Sequence, residues 1–393
     1  MAKIVNSWDE WSPLKRTIVG RVQGTQLPAP EPNWSYPAPK GGYPLGTWGM
    51  FPEEMVEKAD EQMTAFVNML EKRGIVVDRV DVHPVMLEPI AVSTPDWTQM
   101  NMRGTACPRD VFLVVGNEII ETAGCHRSRW YEYLNLRPLF QKYFKEDPDF
   151  LWASAPKPRL TEKSYVKNWD YISEHVWTKE QKEQSVLDCS FQLTEEEPLW
   201  DGADCARAGK DLFWHLSAVC NRAGVDWVTR HYAQKGIRVH PVLFDHRIGG
   251  AEGNFKPWHI DGQFTMVRPG LLITNRNCPI LSENIIELFR KNDWEIVVDA
   301  GATHVYDHPL SLICTSAGGL HGTSLLSMNT FSLGPNTICV EAHETAYMEQ
   351  LDKMGIEVVP VPYDQVAPFG GELHCTTLDI HRESKLEDYF PNQ

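Results

Sequence analysis

The stretch NRAGVDWVTRHYAQKGIRVHPVLF, Asn221 to Phe244, decides the fold. It reads as an amphipathic helix, a stop at Gly236 and then a strand. The same order returns in MVEKADEQMTAFVNMLEKRGIVVDRV around Gly74, in SENIIELFRKNDWEIVVDA around Asp293-Trp294, and in ETAYMEQLDKMGIEVVPV around Gly355. A looser copy, RSRWYEYLNLRPLFQKYFKEDPDFLWASA, has its junction near Asp149. The junctions fall at about 74, 149, 236, 293 and 355, so the chain holds five units.

Paired strand-like segments precede the helices. DVFLVV-GN-EIIET is a hairpin signal, because Gly116-Asn117 can take positive φ. GQFTMV-RPG-LLITN and NTFSLGPNTICVEA are two more, and LKRTIVGRV and KDLFWHLSAV supply strands before the first and third helices. Five strand–strand–helix–strand units predict an α/β chain closed into a pseudosymmetric ring, with an ordinary open α/β sheet as the alternative. No linker divides the chain, so residues 1–393 are expected to form a single domain. Leu27 to Pro44, rich in proline, glycine and aromatics, reads as a loop or lid, and residues 157–198 as a long excursion over one face.

Composition narrows the function. The formal net charge is −16, which argues against a nucleic-acid backbone as partner. It says little about a small cation, for which only the field of the pocket counts. The nine cysteines are scattered without CxxC or CxxH spacing, so neither a zinc knuckle nor a disulfide framework is signalled. Reduced thiols in the cytoplasm are the simplest reading. The start, MAKIVNSWDEWSPL, lacks the apolar centre of a signal peptide, and no run of 18 apolar residues predicts a membrane span.

Polar clusters stand where strands end or loops begin: Cys107-Pro108-Arg109-Asp110, Trp200-Asp201-Gly202-Ala203-Asp204, Trp258-His259-Ile260-Asp261, Thr323-Ser324 and His374-Cys375. Most come from different repeats, and in a ring the equivalent ends face one axis. Each has a bland reading too. Asp110 could cap a turn, Asp201 and Asp204 could form an Asx-turn, His259 could be a half-buried core histidine, and Cys375 could be inert filler. Taken together, carboxylates, a histidine and a cysteine behind Gly370-Gly371 suggest covalent catalysis on a cationic substrate. A guanidinium needs carboxylates for its N–H fork, a thiolate for its central carbon and a histidine to protonate the departing nitrogen.

The motifs VNSWDEWSPLKRTIVG, CPRDVFLVVGNEIIE, RSRWYEY, APKPRL, DGADCARAGKDLF, HID, LSMN, LHCTTLDIHR and EDYF occur in order along nearly the whole chain. In them the sequence resembles the glycine amidinotransferase family, which includes arginine:glycine and arginine:inosamine-phosphate amidinotransferases. The resemblance implies the pentein fold, a fivefold pseudosymmetric ββαβ propeller. It implies Cys375 as the nucleophile, His259 as general acid–base and Asp201 as the residue orienting that histidine. Asp110 and Asp261 would grip the guanidinium, and Asp204 would support the same motif or the substrate. In the reaction the resemblance implies, the cysteine attacks, ornithine leaves, an amidino-cysteine forms and an amine acceptor collects the group.

The sequence also departs from the family. Many relatives read NPDRP after the hairpin that follows the histidine motif, and that arginine receives the donor's carboxylate. Here the stretch is Asn275-Arg276-Asn277-Cys278-Pro279, so Arg276, two residues earlier, is the candidate for that contact. Thr323-Ser324 stands where relatives carry Ser-Lys, which makes Thr323 a substrate-binding candidate. The default donor is L-arginine, and the acceptor stays open among glycine, other small amines and a specialised-metabolite intermediate. No cofactor and no metal are expected, nor a nucleic-acid or membrane partner, and a homodimer is left open. The competing functions are a deiminase-type guanidine hydrolase of the same fold, a metal hydrolase using His259, Asp261 and His374, and a non-catalytic binding protein.

Overall fold

The computed structural model describes residues 3–33, 47–166, 178–188, 191–245, 259–304, 310 and 326–393. The five predicted helices are Glu53–Lys72, Arg137–Glu146, Arg222–Ala233, Glu283–Lys291 and Thr345–Lys353. Each is followed by a strand that lies parallel to the second strand of a hairpin. In the third unit Cys205–Ala208 pairs antiparallel with Asp211–His215, which pairs parallel with Arg238–Val242. The second, fourth and fifth units repeat this around Glu118–Glu121, Leu271–Thr274 and Thr337–Glu341.

The helix-to-strand junctions explain why Asp293 reads like a glycine in the sequence. Gly74, Gly236 and Gly355 have φ of 81°, 70° and 73°, the left-handed conformation that ends a helix. Asp293 sits at the same place with φ 59°. Asp is among the few residues whose short polar side chain tolerates it.

The first unit holds the one topological feature that reading forward along the chain does not reveal. Its middle strand, Leu14–Val19, is parallel to Val76–Arg79 as expected, but its hairpin partner is Thr377–Arg382 from the far end of the chain. The C-terminal strand completes the unit that the N-terminal strand begins, and this closes the ring.

Packing confirms the closure. Strands such as Phe112–Val115 and Leu271–Thr274 are buried along their whole length, on both faces, which is why they read as near-continuous apolar runs. Side chains alternate across a strand. Phe112 and Val114 therefore join Ile18, Leu378 and Ile380 of the first unit, while Leu113 and Val115 join Leu212 and Trp214 of the third. Phe213 then packs with Phe264 and Phe289 of the fourth unit, Ile273 of the fourth with Ile338 of the fifth, and Phe331 of the fifth with Phe66 of the first. The apolar clusters thus connect consecutive units all the way round, as a ring requires and an open sheet does not.

Buried charges tie the ring near its axis. Asp379 on the closing strand accepts hydrogen bonds from Arg109 (2.7 Å), Arg207 (2.5 Å), Arg382 (2.6 Å) and the Ser7 hydroxyl (3.1 Å). Its own burial opposes ionisation, but Arg207, Arg382 and Arg109 hold the carboxyl well below the usual range. Arg109 also donates from Nε to the carbonyl of His374 at 2.8 Å, which fixes the backbone beside Cys375. Of the segments singled out in the sequence, the proline-rich loop is described only from Leu27 to Asn33, and the excursion lacks 167–177 and 189–190.

Candidate active site

The candidate residues stand just ahead of the first strand of each unit. Asp110 precedes Phe112, Asp201 and Asp204 precede Cys205, His259 and Asp261 precede Phe264, Asn329 precedes Phe331, and Cys375 precedes Thr377. Residues that are far apart in sequence meet because the ring turns these five equivalent ends toward one another.

The two glycines ahead of the cysteine have steric causes. A Cβ on Gly371 would come within 2.3 Å of Cys375 Cβ and 2.8 Å of its sulfur. Gly370 has φ 117°, and a Cβ there would lie 2.5 Å from Arg103 Nη2. The chain can turn tightly around the thiol only without side chains at these positions.

Cys375 is buried. Its sulfur lies 3.2 Å from Asp261 Oδ2 and 3.0 Å from Asn329 Nδ2. Burial, and then the charges of Asp261 and Asp110, push the thiol well above its ordinary value, and the Asn329 amide draws it down. The resting group is therefore a thiol, with Asp261 as the acceptor for its proton. Asp261 Oδ2 also meets His374 Nδ1 at 2.9 Å. Although burial opposes it, that contact and the nearby His259 lower the Asp261 carboxyl to about 2.

His259 lies between two carboxylates. Its Nε2 is 3.1 Å from Asp201 Oδ2 and its Nδ1 is 3.6 Å from Asp110 Oδ1. Burial disfavours the imidazolium, but Asp110, Asp201 and Asp204 outweigh it and raise the histidine to about 10. Asp110 is oriented from behind: Arg129 Nη1 donates to its Oδ2 at 2.6 Å while Arg129 also bonds Glu132. The other oxygen, Asp110 Oδ1, is buried and accepts no hydrogen bond among the described residues. An unsatisfied buried acceptor beside the thiol is suited to receive an N–H from a cationic ligand.

The remaining predicted residues are placed differently. Asp204 faces its own turn: Oδ2 accepts from the Asp201 amide at 3.0 Å and Oδ1 from the Ser217 hydroxyl at 2.8 Å. Burial raises it to about 7. Arg276 is half-exposed and rests on the Asp299 carbonyl through Nε (3.0 Å) and Nη2 (2.6 Å). Cys278 is buried in the apolar cluster with Phe213, Phe244 and Phe264. Thr323 lies outside the described residues.

Sequence reading gave no role to Asn329, Arg129 or Glu10. The last approaches His374 Nε2 at 3.6 Å and bonds Arg207. The available signal for Asn329 was positional. It stands two residues ahead of its strand, as do Asp110 and Cys375.

A fivefold ring carrying a buried thiol, a carboxylate-held imidazolium and two converging carboxylates defines a class: cysteine enzymes that act on a cationic carbon centre. Comparison with known proteins names the family within it. No family model matches the chain. Glycine amidinotransferase, mitochondrial, of Xenopus tropicalis is 33% identical over 395 residues, covering 98% of this chain and 85% of that one. L-arginine:L-lysine amidinotransferase of Pseudomonas savastanoi pv. phaseolicola is 29% identical, covering 98% and 96%. Among solved structures, an amidinotransferase of the saxitoxin biosynthetic pathway from Microseira wollei superposes with a TM-score of 0.79 at 30% identity, covering 98% and 99%. Inosamine-phosphate amidinotransferase from Streptomyces griseus does so with 0.79 at 29%, covering 99% and 100%. The chain belongs to the glycine amidinotransferase family. It is an amidinotransferase with the pentein fold, acting on a guanidino donor and an amine acceptor.

Proposed function

We propose that the donor is L-arginine and that Cys375 carries the amidino group between half-reactions. The observation that carries this reading is the Cys375 thiol on Asp261 Oδ2. A carboxylate that raises the thiol loses that effect once a guanidinium pairs with it, so donor binding itself generates the nucleophile.

In the first half-reaction the guanidinium donates N–H groups to Asp110 Oδ1 and to Asp261, and the displaced thiol proton passes to solvent, to be taken back by the thiolate when product leaves. The thiolate adds to the central carbon. The His259 imidazolium then protonates the ornithine nitrogen, the carbon–nitrogen bond breaks, and an amidino group remains on sulfur. In the second half-reaction the acceptor amine adds to that carbon and gives a proton to the now neutral His259. The carbon–sulfur bond breaks and thiolate returns. Asp201 orients the imidazole, and Asp204 braces Asp201 through its backbone amide. This gives Asp204 a positioning role in place of the substrate contact that was an option for it. His374, bonded to Asp261, fixes the acceptor face of that carboxylate.

Arg276 is our candidate for the donor's carboxylate, supported by its half-exposed guanidinium, and Thr323 for contacts to either substrate. The acceptor is a primary amine. Glycine, another small amine and a pathway intermediate are all consistent with relatives named for glycine, lysine and inosamine phosphate. We place the enzyme in the cytoplasm and read residues 1–393 as one catalytic domain. The free thiols among the described cysteines are consistent with that compartment, and no described helix is long and apolar enough to cross a membrane. Isotopically labelled arginine offered with a panel of amines and followed by mass spectrometry tests the reading. Ornithine together with a labelled guanidino product is expected, and citrulline alone would point to hydrolysis instead.

A further inference from the structure

The resting site leaves one question open. The two carboxylates that act on Cys375 oppose its ionisation: Asp261 and Asp110 both push the thiol up. A bound guanidinium neutralises carboxylates, but it lies on the carbon side of the sulfur. Something must hold the anion from the protein side and keep the sulfur aimed.

Asn329 stands there. It is buried, and it belongs to the fifth unit, whose strand end otherwise supplies no group to the thiol among the described residues. Its Oδ1 accepts from two consecutive backbone amides, His374 N at 3.0 Å and Cys375 N at 3.2 Å. This settles the orientation of the side-chain amide. The opposite rotamer would put an NH2 group against two N–H donors, so the NH2 must face the sulfur. The Nδ2–Sγ distance is 3.0 Å. The sulfur thus has an acceptor, Asp261, for its proton and a separate donor, Asn329, for its lone pair.

We propose that Asn329 is a catalytic residue of this enzyme, its amide N–H holding the Cys375 sulfur as the anion while its carbonyl fixes the two peptide N–H groups that aim it. The proposal rests on Cys375 as the nucleophile. When the cation binds, Asp261 exchanges the thiol for the guanidinium, and the Asn329 contact persists and strengthens with the charge. When thiolate leaves in the second half-reaction, the same N–H receives it. A hydrogen bond to a charged group changes an equilibrium by roughly ten- to a hundredfold.

The test separates a donor from a clamp. Asn329→Asp keeps an oxygen for both backbone amides but removes the N–H and adds an acceptor. Asn329→Ala removes both. The folded enzyme is alkylated with iodoacetamide across pH, thiolate displacing iodide, and the extent of reaction is read on the Cys375 peptide after quench and digestion. Both variants are expected to react roughly ten- to a hundredfold more slowly near neutrality, with the pH midpoint moved up. The kcat should fall in step, and the KM for the donor should hold within a few-fold. Asn329→Asp alkylating at the wild-type rate and midpoint, with only Asn329→Ala impaired, would reduce Asn329 to a clamp and overturn the proposal. A measurement on the wild type guards against variants that fail to fold. The Asn329 side-chain amide resonance should titrate with the thiolate absorbance, and no shift across that midpoint would also overturn it. Should the amidino group prove not to reside on Cys375, the nucleophile assignment falls instead, and the alkylation result stands apart from it.

Discussion

Cys375 and Asp261 share a hydrogen bond, sulfur to Oδ2 at 3.2 Å, and that contact makes the carboxylate both an obstacle to ionisation and a ligand for the substrate. The two effects separate in Asp261→Asn. Without the negative charge the free thiol should ionise more readily, because Asp261 is among the causes that raise it. Alkylation near neutrality should therefore speed up, while amidino transfer falls at least about a hundredfold for lack of a guanidinium partner. Slower alkylation together with slower transfer would mean that Asp261 does not oppose the thiolate.

His259→Asn should slow both half-reactions by about 10² to 10⁴, since one group moves the proton each way. The pH behaviour follows from the carboxylates that hold it. The folded-state value is raised from 6.5 to about 10, so its stabilisation is fully present below the ordinary value and is lost as pH rises through about 10. Denaturant unfolding of wild type and variant at several pH values should show a gap that is widest in mild acid and narrows toward pH of about 10. A gap that does not change with pH would argue against an imidazolium in the folded enzyme.

Gly371→Ala tests the glycine pair. The added methyl would sit 2.3 Å from Cys375 Cβ, so the nucleophile must move. A misplacement of about 1 Å can reduce turnover about a hundredfold. The expected signature is a kcat loss of that order with a stability loss of about 1–3 kcal/mol from overpacking. Near-normal kcat would show that the turn has more slack than its contacts indicate.

These positions differ in how far the sequence reveals them. The helix–stop–strand rhythm is legible because Gly74, Gly236 and Gly355 end helices in a conformation that only a few residue types accept. The pairing of Leu14–Val19 with Thr377–Arg382 is not, since nothing local in either strand names a partner some 360 residues away. Cys375, His259 and the acidic motifs stand out as reactive residue types in polar surroundings. Asn329 does not, because an amide carries no chemistry until its geometry is known. Arg276 raises the reverse difficulty. Its charge marks it in the sequence, yet its guanidinium rests on the Asp299 carbonyl.

Arg276→Ala should raise the KM for arginine about tenfold or more if the residue leaves Asp299 to take the donor's carboxylate, a charge-assisted contact of about 1.5–3 kcal/mol. The KM for agmatine, which lacks that carboxylate, should stay unchanged. Equal effects on both donors would assign Arg276 to holding the Asp299 loop.

The proposed carrier of the transferred group, Cys375, can be caught directly. Wild-type enzyme is incubated with labelled arginine and no acceptor, quenched in acid, digested and read by mass spectrometry. One amidino group is expected on the peptide containing Cys375, formed together with ornithine, lost on adding an amine acceptor and absent in Cys375→Ser. Label on Cys278 or Cys107 instead, or transfer that persists in Cys375→Ser, would contradict it.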